Sequence, residues 1–135
     1  MADGSATSAE ELEGLLENLR ALSGEVTTAA VLGKDGEIRA STVSLGVDRE
    51  RYAAMLSALA GLARRTAREN GGSAFAQVRI KGGEEGHVLM ISLEGGETLA
   101  TTTEPDARVG LVLYDMRNAR TEIEQRLGSK REEGQ

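Results

Sequence analysis

His87 is the single histidine of this 135-residue chain, which contains no cysteine. One imidazole can act as a base or a metal ligand, but either role needs partners at defined spacing. None accompanies His87, which reads instead as the first residue of a strand, facing a rim. Gly33-Lys34 hints at a phosphate loop. Asp35 follows it rather than Ser or Thr, and no glycine stands five positions before Gly33. The glycine-rich turn from Gly82 to Gly86 carries Glu84 and Glu85, which would repel a phosphate. These glycines read as hairpin turns. Thr98 and Thr101 to Thr103 are nucleophiles by type, but no activating base goes with them. Strand propensity accounts for them. The motifs therefore assign no catalytic residue, no cofactor and no metal, and the expectation is that the chain is not an enzyme.

Composition narrows the partners. The net charge is −6 and the pI about 4.9. Phosphate neutralisation needs a basic surface, so nucleic acid is not expected. The only aromatics are Tyr52, Phe75 and Tyr114, too few for a base-stacking platform. Lack of cysteine excludes a disulfide scaffold and favours a reducing compartment. No apolar run approaches the roughly 20 residues of a membrane span. Met1 to Ala9 lacks the plan of a signal peptide. The expectation is a cytoplasmic protein that does not insert into a membrane.

The elements that would position any site follow from periodicity. Residues 1–7 read as a disordered N-terminus and 128–135 as a charged tail, leaving one domain over 8–127. Ser8-Ala-Glu-Glu11 reads as a capping box. Leu12, Leu15, Leu16, Leu19 and Leu22 follow at helical spacing, and Ser23-Gly24 ends that helix. Val26 to Leu32 and Glu37 to Val43 read as strands joined by Gly33 to Gly36, with a loop from Ser44 to Val47. Asp48 is the expected N-cap of a second helix of about 22 residues, ended by Asn70-Gly71-Gly72. Strands are expected at Ala74 to Ile80, His87 to Leu93 and Glu97 to Thr103. Asp106 is the expected cap of a third helix reaching Leu127. The order α-β-β-α-β-β-β-α predicts an α+β fold, a five-stranded antiparallel sheet flanked by three helices.

The second helix is the informative element. Tyr52 to Ala63 contains no charge, in a chain that is 28% charged. Tyr52, Met55, Leu56, Leu59, Leu62 and Ala63 form one apolar face, expected to cover the sheet. Ala53, Ala54, Ser57, Ala58 and Gly61 lie opposite. Helix propensity explains the alanines, but a mid-helix glycine costs about 1 kcal/mol relative to alanine. The face reads as a contact with a second copy through Ala53, Ser57, Ala60 and Gly61. In the next strand Ala74, Ala76, Val78 and Ile80 alternate with Phe75, Gln77 and Arg79. Pairing of that strand with its copy, around Ala76 and Val78, would remove an exposed edge. Arg64, Arg65 and Arg68 form a basic cluster that suits the helix dipole or an acidic partner.

The order of elements and several segments together resemble the Roadblock family over Leu12 to Leu127. The carriers are Val26 to Ser41, the Ala-rich second helix, the hairpin from Gly82 to Leu93, and Gly110-Leu111-Val112-Leu113. The resemblance implies a homodimer with second helices side by side and joined sheets. It also implies a non-catalytic regulator or scaffold of a small Ras-like GTPase. Two other functions fit the same shape: a structural dimerisation adaptor indifferent to nucleotide, and a ligand-binding sensor.

Overall fold

The computed structural model describes residues 4–133 except Ser44, Leu45, Ser73, Gly83 and Glu85. Parts of the expected N-terminus (Met1–Asp3), inter-element loop (Ser44, Leu45), hairpin turn (Gly83, Glu85) and tail (Gly134, Gln135) therefore lie outside the described residues. The element order is α1 (Gly4–Ser23), β1 (Val26–Leu32), β2 (Ile38–Ser41), α2 (Val47–Glu69), β3 (Gln77–Lys81), β4 (His87–Ser92), β5 (Thr98–Thr103) and α3 (Val109–Glu133). The strands form one sheet in the order β2-β1-β5-β4-β3, and every pairing is antiparallel. This is the expected α+β architecture.

Strand alternation divides the core into two layers. Ala29 and Val31 of β1, Leu89 and Ile91 of β4 and Leu99 of β5 face α1 and α3. They pack with Leu12, Leu16 and Leu19 of α1 and Val112, Met116 and Ile123 of α3. Intervening residues point the other way. Ala30, Met90 and Ala100 lie side by side across β1, β4 and β5 and pack with Leu56 and Ala60 of α2. The sheet is thus covered by two helices on one face and by α2 on the other.

Several helix ends differ from expectation. α1 starts at Gly4 rather than Ser8; no residue between them is a proline that would stop the helix earlier. α3 continues past Leu127 to Glu133, because Gly128 alone costs about 1 kcal/mol and the Lys, Arg and Glu that follow are good helix formers. Gly46, with φ 143°, occupies the N-cap of α2, and Asp48 sits inside the first turn, where its charge still complements the dipole. Asp106 belongs to a turn before α3. The Glu25 carboxylate instead accepts from the Arg108 backbone N–H at 3.0 Å, just ahead of the helix, and from Arg108 Nε at 3.2 Å. The C-terminus of α2 is as expected: the Gly71 N–H donates to Arg68 O and the Gly72 N–H to Ala67 O, with Gly71 at φ 88°. That is a Schellman ending.

Two glycines separate strain from collision. Gly24 has φ +70° and free space around an added Cβ, whereas a Cβ on Gly86, at φ +96°, would collide with the Thr103 carbonyl oxygen. Gly24→Ala should therefore lose about 1–2 kcal/mol, the cost of the left-handed conformation alone. Gly86→Ala should lose more, since backbone must move. Urea unfolding of the two variants checks the difference, and equal losses would contradict the packing at Gly86.

Candidate interaction surface

α2 covers one face of the sheet with a stripe of large and small residues. Leu56 and Ala60 are wholly buried, while Tyr52, Leu59, Ala63 and Ala67 pack partly against the same cluster. Ala30 and Ala100 present little bulk on this side of the sheet, and Leu32, Leu56, Phe75 and Met90 fill the layer with them. Two larger residues expected on the inner face are turned out: Met55 is 44% exposed and Leu62 57%. Ala54 and Ala58 are exposed beside them, and Ala53, Ser57 and Gly61 are half-buried along the flank. Ala60, expected to meet a partner, is covered by this chain's own sheet and has no surface to offer. A Cβ added at Gly61 would meet nothing within 4 Å. Packing within the protomer therefore gives no reason for a glycine there.

The strand after α2 starts at Gln77, so Ala76 precedes it and the expected alternation fails at its beginning. Phe75 is buried beneath α2 with Val78 packed against the same cluster, rather than on the opposite side from it. Gln77 lies on the other face, where its Oε1 accepts from Arg117 of α3. Ala76 is exposed, and so is Ile80, at 44%. β3 ends the strand order, so its outer edge is unpaired among the described residues. Ile80 and this edge therefore adjoin the α2 layer.

Arg64 is half-buried, and its shielded Nη atom has no hydrogen-bond partner. Arg65 and Arg68 are exposed. None of the three makes an ion pair among the described residues. They stand in the last two turns of α2. Arg68 also stands in the last turn, where a cation is favoured.

His87 and the strand threonines are mostly engaged within the fold, although His87 Nδ1 and Thr98 Oγ1 are buried without a hydrogen-bond partner. His87 is 5% exposed, not on a rim. Its Nε2 donates to Pro105 O at 3.2 Å and its backbone N–H to Thr103 Oγ1 at 3.3 Å. This seats the start of β4 against the end of β5. Thr101 Oγ1 donates to Met116 Sδ at 3.3 Å. Thr28 Oγ1 donates to Tyr52 Oη at 2.9 Å and lies 2.6 Å from Thr102 Oγ1. That network anchors the first turns of α2. Among the described residues, no three His, Cys, Asp or Glu side chains are grouped to hold a metal, and no helix is long and apolar enough to cross a membrane.

Burial pushes the Tyr52 phenol up from 10 to about 12, partly offset by the Thr28 hydrogen bond and Arg49. Its folded value lies above its unfolded one. The contribution is therefore complete below pH 10 and is lost as pH rises towards about 12. Tyr52→Phe should flatten the alkaline loss of stability over that window. Chemical unfolding at a series of pH values measures it; an unchanged slope would contradict the burial.

A sequence signal for Met55 and Leu62 existed. Centring the helix on Leu56, Ala60, Ala63 and Ala67 leaves both outside, but large apolar residues are ordinarily placed inward.

The Roadblock/LC7 domain family model matches residues 12–105. An uncharacterised protein of Methanocaldococcus jannaschii is 38% identical over 98 residues, 73% of this chain and 81% of that one. The crystal structure of a Roadblock/LC7 domain from Streptomyces avermitilis is 29% identical, with a TM-score of 0.66 over 84% of this chain and 98% of that one. MglB of Myxococcus xanthus shares the fold at a TM-score of 0.77 and 15% identity, over 89% of this chain and 90% of its own. This chain belongs to the Roadblock/LC7 domain family.

Proposed function

We propose that this chain is a cytoplasmic homodimer that regulates or scaffolds a small Ras-like GTPase by contact, without a catalytic residue of its own. The outward face of α2 carries the reading. It exposes Met55 and Leu62 beside a glycine that no packing within the protomer requires. Pairing this face with its copy would cover the two apolar side chains, and small residues would let the backbones approach. The dimer contact then comprises Ala53, Ser57 and Gly61 with the exposed residues beside them. Ala76 and the β3 residues Val78 and Ile80 would then lie at the seam between two sheets, where the β3 edge gains a partner strand.

Two α2 helices side by side form a platform about 35 Å long at 1.5 Å per residue. The GTPase role rests on the Roadblock membership of the chain. Arg64, Arg65 and Arg68 at the rim of the platform are placed to meet acidic groups of such a partner. They sit on a helix rather than on a loop able to reach nucleotide phosphates, which disfavours an arginine-finger role.

The test is GTP turnover by a small Ras-like GTPase from the same genome, with and without this chain, and binding in both nucleotide states. A nucleotide-dependent complex that Arg64→Ala, Arg65→Ala or Arg68→Ala weakens supports the reading. Equal binding of both nucleotide states, with turnover unchanged, supports the structural adaptor instead. Loss of turnover with binding retained in any arginine variant contradicts action by contact alone.

A further inference from the structure

Leu22 is 73% exposed, whereas Leu12, Leu16 and Leu19 of the same stripe are at most 3% exposed. It stands at one end of a groove of about 190 Å³ between α1 and α3, on the opposite face of the sheet from α2. Leu15, Leu19 and Leu22 of α1 and Ala119 of α3 give the groove its apolar lining. Asn18 and Asn118 line it as well, and its only charged side chains are Asp115 and Glu122. Neither carboxylate makes an ion pair among the described residues. Two arginines of the same helices pair with other carboxylates, Arg20 with Glu17 and Arg126 with Glu11.

We propose that the α1–α3 groove seats an amphipathic helix of a partner protein, with leucine-like side chains inward and Lys or Arg along its flank. Charge complementarity selects the occupant. Asp115 and Glu122 stand two turns apart on one side of α3, about 10 Å at 1.5 Å per residue. They match cations two turns apart on a helix lying alongside. A leucine-like side chain of the helix's apolar stripe enters the groove beside Leu22, and the rest of the stripe lies along its apolar rim. A helix with acidic flanks meets repulsion there, reinforced by the net charge of −6. The groove is distinct from the α2 face, so the two contacts can be occupied together.

The probe is a fluorescein-labelled 18-residue peptide with leucines at helical spacing and lysine flanks. A second peptide carries glutamate in place of lysine. Anisotropy is measured with the full chain at low and high salt. The lysine peptide is expected to bind and the glutamate peptide not. Leu22→Asp should weaken binding at least tenfold. A double variant, Asp115→Asn with Glu122→Gln, should weaken it mainly at low salt. Leu22 is largely solvated, so its substitution leaves the fold intact, which circular dichroism verifies. Failure of the lysine peptide to bind, or binding indifferent to Leu22→Asp, overturns the proposal. Binding lost in Leu62→Asp and kept in Leu22→Asp places the peptide on α2 and overturns it also. If Leu22→Asp reduces self-association in light scattering, the groove is a contact between copies, and the partner helix is excluded. The α2 dimer is judged separately, by substitutions at Gly61.

Discussion

Gly61→Arg and Ala58→Arg are each expected to yield a folded monomer. A side chain built at Gly61 meets nothing within 4 Å, and Ala58 is exposed, so neither arginine disturbs the protomer. Gly61→Arg even removes a mid-helix glycine, worth up to about 1 kcal/mol of helix stability. In the proposed dimer the same arginine places an unpaired charge in a desolvated helix–helix contact. Removing a partner from a buried pair costs about 3–5 kcal/mol, and a stranded charge should cost a similar amount. That is at least roughly a hundredfold in dissociation constant. Sedimentation equilibrium measures the association, and circular dichroism shows whether the fold survives. Undiminished dimerisation would mean that this face of α2 only meets solvent.

Leu56→Ala should have the largest effect on stability. Leu56 and Ala60 are the only wholly buried apolar residues of α2 among the described residues, and Leu56 alone is large. It packs in the layer of Ala30, Leu32, Ala60, Phe75, Met90 and Ala100, and the alanines among these offer little side chain to collapse into a cavity. Truncating a buried leucine costs about 2–5 kcal/mol, and this site should lie in the upper half of that range. The urea midpoint should fall with unchanged slope. Because α2 also presents the proposed dimer face, association should weaken in parallel. A loss below about 1 kcal/mol would contradict the burial of Leu56 between helix and sheet.

The fold was readable because its signals are local. Leu12, Leu16 and Leu19 mark the inner stripe of α1, and glycines mark the turns between strands. Helix ends were less legible where a distant group supplies the cap: Glu25 serves α3, and nothing near Asp106 in sequence announces it. The inner stripe of α2 was legible at Tyr52, Leu56, Leu59 and Ala63, which all pack against the sheet. At its margins Ala60 is covered and Met55 and Leu62 are exposed, because what covers the margins lies on strands far away in sequence. His87 was placed at an edge because the carbonyl of Pro105 and the hydroxyl of Thr103, which bury it, become neighbours only when β4 and β5 pair.

The most direct measurement is light scattering on the unmodified chain coupled to size exclusion. The account predicts a mass twice the 14.3 kDa of one chain, persisting as the protein is diluted through the micromolar range. A mass of 14.3 kDa at every concentration, with the fold intact, would contradict it.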